Sequence, residues 1–287
     1  MQVRGTSVSI RQQCRLLGIV RSTYYRQRHR SKSRREVENG VLMGKLWQVW
    51  DESRRVYGYR RLHAQLQQNG VDVGKERVRK LMKQANIVCL RPKRARPRTT
   101  CVNQGALAHP NHLNQVFVAQ HPNQKWVSDM TYIATLEGFL YVAAIEDLFS
   151  RKIVGLSMAD HMETSLVKNA LEMAIYERDA RGLLIHSDRG SQYTSHAYQE
   201  RLANIQAIVS MSGTGNCYDN APMESFWATL KAECAQRTYA TRQQAREDIF
   251  NYVFAFYNRT RLHSALGYST PEQYERQFRR LDNGLVN

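Results

Sequence analysis

Three acidic residues in this chain have the side-chain type that metal-dependent phosphate chemistry uses. Asp129 lies in KWVSDMTYIA, Asp188 ends LLIHSD, and Glu224 lies in NAPMESFWATLK. Carboxylates brought together repel each other unless a cation neutralises them. Their hard oxygen atoms favour Mg²⁺ or Mn²⁺, and two such ions about 3.5–4 Å apart can support an in-line displacement at phosphorus. The three residues are therefore candidate ligands for two Mg²⁺ ions, with Mn²⁺ as a substitute.

Lys231 follows Glu224 by seven residues and lies on the same flank of a predicted helix. At 100° per residue from Met223, Glu224 falls near about 100° and Lys231 near about 80°, just outside an apolar stripe. Seven residues rise roughly 10.5 Å, which is too far for a direct ion pair. With Asn220 as the N-cap, Glu224 lies one residue past the capping-box position. The apolar stripe consists of Met223, Phe226, Trp227, Leu230 and Cys234.

Each acidic residue also has an ordinary structural explanation. Asp129 could be a surface residue on an edge strand, and Asp188 could belong to a turn. Glu224 could interact with the helix dipole near the start of its helix. The residues alone therefore leave two alternatives open for Glu224 and Lys231, a shared external partner or two separate structural roles.

The elements that must position these residues follow an α/β pattern. Three predicted strands with tight turns precede the order helix, strand, helix, strand, helix, which favours a mixed sheet covered by helices. The predicted strands cover residues 125–134, 139–148, 152–160, 183–188 and 207–212, and the predicted helices cover 164–178, 195–204, 221–235 and 241–257.

The chain has 287 residues, and its net charge of +17 is concentrated in the N-terminal part. Residues 1–110 contain 25 Lys and Arg against 6 Asp and Glu, whereas the remaining residues contain 17 against 19. Such a basic lobe favours a polyanionic partner, most often nucleic acid, over a basic surface that only improves solubility. No apolar run is long enough for a bilayer, and the N-terminus lacks a signal-peptide core, so we expect a soluble intracellular protein. Five scattered Cys without a CxxC pair argue against a zinc site and a disulfide framework.

The first part of the basic lobe is predicted to be helix-turn-helix-like. Residues 9–28 (SIRQQCRLLGIVRSTYYRQR) predict two short helices. Ser9 is expected to cap the first helix, Gly18 to end it, and Ser22 to cap the second. The outline is weak evidence alone, because any helical hairpin could show it.

The second part of the basic lobe repeats this pattern over residues 56–87 and is followed by a tether. Helices are predicted at residues 59–68 and 74–85, and DNA contact is favoured over a merely solvated basic face. The prolines of RPKRARPR prevent a regular helix, so residues 91–98 are predicted to lie along phosphates. The predicted DNA contacts in this part are Arg60, Arg61, Lys75, Arg77, Arg79, Lys80, Arg91, Lys93 and Arg94.

Four motifs, taken in order, resemble one known family. WVSDMTYI, HSDRGSQYTS, SMSGTGNCYDNAPMESFWATLKAE and YNRTRLHSALGYSTP together resemble the catalytic subunit of bacterial insertion-sequence transposases, which a second reading frame encodes. That family belongs to the retroviral-integrase superfamily. The 35 residues between Asp188 and Glu224 match the interval that the superfamily shows between its second Asp and its Glu. The resemblance covers residues 120–275 and extends to the segment at 56–87. One departure is Cys217, where relatives often have Pro, and it concerns loop stiffness rather than chemistry.

The resemblance implies a DNA transposase with a ribonuclease-H-like core. Asp129, Asp188 and Glu224 become the catalytic metal ligands, and Lys231 becomes a DNA contact near the cleaved end. Metal-dependent hydrolysis would cleave a strand at the end of the element, and the freed 3′-hydroxyl would attack another phosphodiester without a covalent protein–DNA intermediate. The expected partners are terminal inverted repeats, target DNA, further copies of the chain, and an upstream-frame product that is often fused by frameshifting. The expected location is the bacterial cytoplasm, on the nucleoid.

The predicted fold class is therefore α/β, a ribonuclease-H-like mixed sheet preceded by a helical DNA-binding region. Residues 1–35 are predicted to form a helix-turn-helix-like segment and residues 36–90 a helix-turn-helix-like DNA-binding domain. Residues 91–120 are predicted to be a basic linker. Residues 121–287 are predicted to form the integrase-type catalytic core with a helical tail.

Two other functional classes remain as alternatives. A catalytically silent DNA-binding regulator derived from such an element would bind DNA without metal-dependent cleavage. A recombinase with a tyrosine nucleophile would trap a covalent DNA adduct, and Arg261, His263 and Tyr268 lie close together in the sequence. The three ordered acidic residues have no role in that second scheme, which disfavours it.

Overall fold

The structure is a computed structural model. It describes residues 9–28, 31–89, 109–213, 217–236 and 238–284. Over these ranges, no helix combines the length and the apolar character that crossing a membrane requires.

Two short helices open the described chain, α1 (Ile10–Leu16) and α2 (Arg21–Arg28). Ser9 caps α1 as predicted, in a capping box with Gln12. Gly18 ends the helix with a φ of 63°, in the left-handed region that glycine adopts without strain. The prediction that Ser22 caps α2 is wrong, because the amides of Thr23 and Tyr24 already bond the carbonyl of Val20 and the helix begins at Arg21.

Three further helices form the next unit. The longest, which the sequence patterns did not predict, starts with a capping box between Ser33 and Glu36 and buries Leu42, Leu46 and Val49. The other two match their predicted limits to within one residue. The three helices are α3 (Arg34–Glu52), α4 (Tyr59–Gln68) and α5 (Lys75–Gln84).

A five-stranded mixed sheet forms the centre of the remaining chain, which confirms the predicted fold class. Its strand order is β3-β2-β1-β4-β5. The pairs β1–β2 and β2–β3 are antiparallel, whereas β1–β4 and β4–β5 are parallel, so β1 is the central strand. The strands are β1 (Lys125–Thr135), β2 (Gly138–Asp147), β3 (Lys152–Ala159), β4 (Leu184–Ser187) and β5 (Ile208–Met211).

Helices cover both faces of this sheet. On one face, α6 and α7 bury Trp126, Ile145 and Leu171 in a shared apolar cluster. On the other face, α8, α9 and a π-helical turn bury Val127, Phe226 and other apolar residues in a cluster that extends to α3–α5. These elements are α6 (Thr164–Glu177), α7 (His196–Asn204), α8 (Ala221–Glu233), α9 (Arg242–Asn251), the π-helical Tyr252–Tyr257, and a last helix α10 (Pro271–Gly284).

The N-terminal helices dock onto the C-terminal segment through specific hydrogen bonds. The Tyr57 hydroxyl donates to the carbonyl of Thr260 (3.0 Å) and accepts from the amide of Leu262 (2.7 Å). The guanidinium of Arg54 pairs with the carboxylate of Asp248 at 2.9 Å. The helical unit is therefore attached to residues that follow the sheet in the sequence.

Candidate active site

The register of the sheet brings Asp129 and Asp188 to the same edge. The last pair of the parallel ladder between β1 and β4 is Val127 with His186, and each aspartate lies two residues beyond its member of that pair. Asp129 still pairs with Ala144 of β2, so it lies on the central strand rather than on an edge strand. Asp188 directly follows the end of β4, beside the middle of β1, and the carboxyl ends of parallel strands are the usual place for a ligand site in an α/β sheet.

Asp188 lies in a turn that fixes its carboxylate. The amide of Gly190 donates to Asp188 Oδ1 at 2.9 Å. Just before the turn, the His186 ring is fully buried, with Nδ1 2.8 Å from the hydroxyl of Ser210 and Nε2 3.1 Å from that of Ser212. Burial lowers the pKa of His186 to about 4, so the ring is neutral and has a structural role.

Helix α8 is attached to β1 at two points next to Asp129. The Asn220 side chain donates from Nδ2 to the carbonyl of Ser128 at 3.0 Å. The Trp227 indole donates from Nε1 to Asp129 Oδ2 at 3.0 Å. These bonds hold the first two turns of α8 against the central strand, and Glu224 lies between them on the helix.

Glu224 has none of the local partners that a structural role would supply. Within the described ranges it makes no hydrogen bond or ion pair, and its side chain is exposed. Asn220 makes no side-chain capping bond to α8, so Glu224 is not part of a capping box. Its place in the first turn still allows a favourable interaction with the helix dipole.

Asp129 is the carboxyl of the three whose pKa responds to the charges of the other two. Burial raises the pKa of Asp129 to about 7, and the charges of Asp188 and Glu224 add to that increase. Hydrogen bonds from the Met130 backbone and the Trp227 indole oppose it. Burial also raises the pKa of Asp188 and of Glu224. A half-buried carboxyl held between two others is a place where a cation would relieve repulsion.

Lys231 lies at the edge of this acidic group. Its Nζ is 5.3 Å from the ring centroid of Tyr132, a distance at which a cation–π contact is favourable. Burial lowers the pKa of Lys231, and the charge of Asp129 opposes that decrease. Tyr132 is 48% exposed and packs against Phe139, with 4.7 Å between the ring centroids. The lysine therefore lies beside a surface aromatic pair close to the carboxylates.

The three carboxylates have the oxygen atoms that a metal ion needs, but their side chains do not form a metal site as they stand. As the side chains stand, no three His, Cys, Asp or Glu residues in the described ranges are arranged to hold a metal ion. Asp129 Oδ2 is occupied by the Trp227 indole, and Glu224 is directed to solvent. The oxygen-only donor set of Asp129, Asp188 and Glu224 fits Mg²⁺ or Mn²⁺.

The basic residues predicted to contact DNA fall into two groups. Arg60, Lys75 and Lys80 are exposed on α4 and α5. Arg77 and Arg79 are partly engaged, since Arg77 donates to Asn39 and Glu38, and Arg79 pairs with Glu76 at 2.9 Å. Arg91, Lys93 and Arg94 lie outside the described residues.

Arg61 differs from its neighbours because its side chain faces the protein interior. It is 26% exposed, lies over the Tyr57 ring at 5.8 Å, and approaches Glu233 to 3.8 Å. Burial and the charge of Arg261 lower the pKa of its guanidinium. Its predicted DNA contact would have to be made at the junction between α4 and the core.

Two of the residues considered for a tyrosine recombinase, Arg261 and His263, are packed inside the protein. Arg261 forms a two-point ion pair with Glu233, with both N–O distances at 2.7 Å. His263 is 8% exposed and packs edge-on against Tyr257. Two donor nitrogens of Arg261 are therefore used by the carboxylate of Glu233.

Sequence reasoning missed two residues that build this site, Trp227 and Asn220. Trp227 was assigned to the apolar stripe of α8, although its position near about 40° lies on the side toward Glu224 and Lys231. Asn220 was assigned as a helix cap. An indole N–H needs an acceptor when it is buried, and that requirement was the available sign that Trp227 faces a polar group.

Two kinds of domain family match this chain. Residues 119–217 and 206–271 each match an integrase core domain, and residues 38–95 match an HTH-like domain. The transposase for insertion sequence element IS904 of Lactococcus lactis is 42% identical over 252 residues, covering 86% of this chain and 98% of the relative. The uncharacterized 31 kDa protein of insertion element IS600 of Shigella sonnei is 39% identical over 270 residues, covering 93% of this chain and 99% of the relative.

A structural neighbour is the HTLV-2 integrase catalytic core domain, solved in complex with magnesium. It is 17% identical, with a TM-score of 0.40, and the match covers 54% of this chain and 97% of that chain. The two curated relatives cover nearly their full lengths at about 40% identity, and both come from insertion elements. With an integrase core, an HTH-like domain and these relatives, the chain belongs to the family of insertion-sequence transposases.

Proposed function

We propose that this transposase cleaves DNA at the ends of its insertion element and joins the freed end to target DNA by direct transesterification, using Asp129, Asp188 and Glu224. The observation that carries the proposal is the electrostatic coupling of the half-buried Asp129 carboxyl to both of the others. Asp129 has two hydrogen-bond donors, Met130 and Trp227, but within the described ranges it lacks the ion-pair partner that would stabilise a buried structural carboxylate.

The same three residues would hold the metal ions, which we propose to be two Mg²⁺, with Mn²⁺ as a substitute. When bound there, the ions would supply Lewis-acid stabilisation of charge on phosphate oxygens and activation of the attacking oxygen. The donor set suits these hard cations because it consists of carboxylate oxygens only.

The other residues of the site position the acidic group and the DNA. The Trp227 indole restrains Asp129 through Oδ2. Lys231 would bind a phosphate of the strand end while Tyr132 limits the movement of its ammonium group. The attacking group in the joining step would be the DNA 3′-hydroxyl, so no side-chain nucleophile is required.

DNA binding would be shared by the helical unit and the basic tether. We propose contacts from Arg60, Lys75 and Lys80, which are exposed, and from the remaining donors of Arg77 and Arg79. The proposed contacts of Arg61 and of the tether residues Arg91, Lys93 and Arg94 complete this set. The proposed partners are terminal inverted repeats, target DNA, further copies of the chain, and an upstream-frame product.

Cleavage of a terminal-repeat duplex in Mg²⁺ tests the proposal. Asp188→Asn and Glu224→Gln should each abolish cleavage and strand transfer while DNA affinity stays within about twofold, since neither residue is placed in a DNA contact. Glu200→Gln, which changes an exposed glutamate on α7, should cleave like the unmodified protein. Cleavage by either test variant at the unmodified rate would remove the metal-ligand assignment.

The silent-regulator alternative makes the opposite prediction for the unmodified protein. It expects sequence-specific binding of the terminal repeats with no Mg²⁺-dependent product under any condition. All three carboxylates are present, and the charges of Asp188 and Glu224 both act on Asp129, which favours the enzyme over this alternative.

A further inference from the structure

A cavity of about 370 Å³ lies on the side of α8 away from the acidic group. It is bounded by α4, by α8, by the turn between β2 and β3, and by residues 261–265. At 100° per residue from Met223, Ser225 and Thr229, which line the cavity, fall near about 200° and 240°, far from Glu224 near about 100°. The cavity is therefore separate from the carboxylates.

Three arginines line this cavity. The carboxylates near them accept from only some of the N–H groups of these arginines. Arg61, Arg151 and Arg261 are the cations, and guanidinium groups stay protonated in proteins. Arg261 is 6% exposed and is committed to Glu233. Arg151 donates one bond of 3.2 Å to Glu146, which is 2% exposed and has no other ion pair in the described ranges.

Arg61 is the arginine with the most free donors. Its guanidinium approaches the nearest carboxylate oxygen, on Glu233, only to 3.8 Å, which is beyond hydrogen-bond distance. It makes no hydrogen bond to any residue that the structure describes. A 26% exposed guanidinium with unused N–H groups at a cavity wall is a costly arrangement unless a ligand or water accepts from it.

His263 gives an independent indication that the cavity lining is incomplete. The residue lines the cavity, is 8% exposed, and has a buried Nε2 without a hydrogen-bond partner among the described residues. Buried polar atoms in folded proteins are paired in the large majority of cases. An unpaired imidazole nitrogen beside arginine donors is the pattern that a small polar anion with a hydroxyl group would complete.

We propose that this cavity is a phosphate-binding site formed by Arg61, Arg151, Arg261 and His263. The planar donors of arginine match phosphate oxygens, and three guanidiniums exceed the two nearby carboxylates in charge. The inference deepens the proposed function, on which it rests, by giving the transposase a second anion site behind α8. The phosphate comes either from a DNA backbone, which has no hydroxyl group for His263 and would contact the arginines alone, or from a free phosphate or nucleotide, and the experiment distinguishes these sources.

Binding of inorganic phosphate by the full chain, measured by calorimetry at constant ionic strength, tests the site. The unmodified protein should bind in a saturable way, and Arg61→Gln should bind roughly tenfold more weakly or worse, the scale of one lost charge-assisted hydrogen bond. The matched control is Arg280→Gln, which removes the same charge from an exposed side chain of α10 outside the cavity. Arg151→Gln is a second test variant, and circular dichroism confirms that each variant is folded.

DNA binding then separates the two sources of phosphate. If a backbone phosphate occupies the site, inorganic phosphate competes with duplex DNA, and Arg61→Gln lowers the slope of log affinity against log salt by about 1. If a free phosphate or nucleotide occupies it, Arg61→Gln loses phosphate binding and DNA affinity is unchanged. The proposal is overturned if the unmodified protein shows no saturable phosphate binding, or if Arg61→Gln and Arg280→Gln bind phosphate equally. Neither result concerns cleavage, so failure here is distinct from failure of the carboxylate assignment.

Discussion

Replacing Asp129 by Asn should stabilise the metal-free protein at alkaline pH while it removes catalysis. The pKa of Asp129 is raised from an ordinary value of 3.8 to about 7, so the folded state binds a proton that the unfolded state has already lost. The corresponding stability is fully present below pH 3.8 and is lost as the pH rises through about 7. Above that value the folded protein holds an unfavourable half-buried carboxylate.

The size of the effect follows from the same values. A difference of about 3 in pKa corresponds to about 4 kcal/mol at roughly 1.4 kcal/mol for each pH unit. Because Asp129 keeps partial contact with water, we expect about half of this, about 2 kcal/mol at pH 8. Asn keeps an oxygen that accepts from the Trp227 indole, so the hydrogen bond of 3.0 Å is retained.

Urea unfolding in EDTA at several pH values measures this difference. The free energy of unfolding of Asp129→Asn should exceed that of the unmodified protein by about 2 kcal/mol at pH 8, and the two should converge toward pH 4. Asp72→Asn, at an exposed position on the helical unit, serves as the control and should show no such gain. A loss of stability at pH 8 in Asp129→Asn, or a gain that does not depend on pH, would refute the reasoning.

Four further substitutions test two side-chain contacts and the packing around one glycine. Trp227→Phe should reduce cleavage more than DNA binding and cost about 1–2 kcal/mol, and equal loss of both activities would contradict its positioning role. Lys231→Ala should reduce strand transfer and the salt dependence of DNA-end binding without unfolding, and an unchanged transfer yield would make it an ordinary surface charge. Gly155→Ala should destabilise by more than about 3 kcal/mol, because the new Cβ would clash with the carbonyl oxygen of Ala170. Gly40→Ala, in an open stretch of α3, should instead stabilise by up to about 1 kcal/mol, and an equal loss in both glycine variants would show that close packing is not the cause.

The limits of the strand β1 and the helix α4 were predictable from the sequence to within one residue. The helix α4 has one apolar stripe, whereas β1 buries Trp126 on one face of the sheet and Val127 on the other and is marked by its run of strand-forming residues. The helix α3 was missed, since it contains two glycines and leaves Val37, Val41 and Trp47 about half exposed, so its apolar residues are not confined to one stripe.

The candidate site was predictable in its residue types but not in its assembly. The acidic residues could be selected because the 35 residues between Asp188 and Glu224 match the spacing of the family that the sequence resembles. The bond between Trp227 and Asp129 joins residues 98 positions apart and depends on how α8 lies on β1, which no local pattern encodes. The inward direction of Arg61 depends in the same way on Glu233 and the docking of α4.

The attachment of the helical unit has a consequence for biosynthesis. The two hydrogen bonds of the Tyr57 hydroxyl join it to residues 203 and 205 positions later in the chain. At about 5–20 residues per second, a ribosome needs roughly 10–40 s to make that interval. During this time the helical unit must persist on its own buried residues, such as Leu46, Leu62 and Leu81, with its docking face uncovered. The nascent protein can therefore carry a folded helical unit before its catalytic strands exist. That unit can dock only after residues 260–262 have been synthesised.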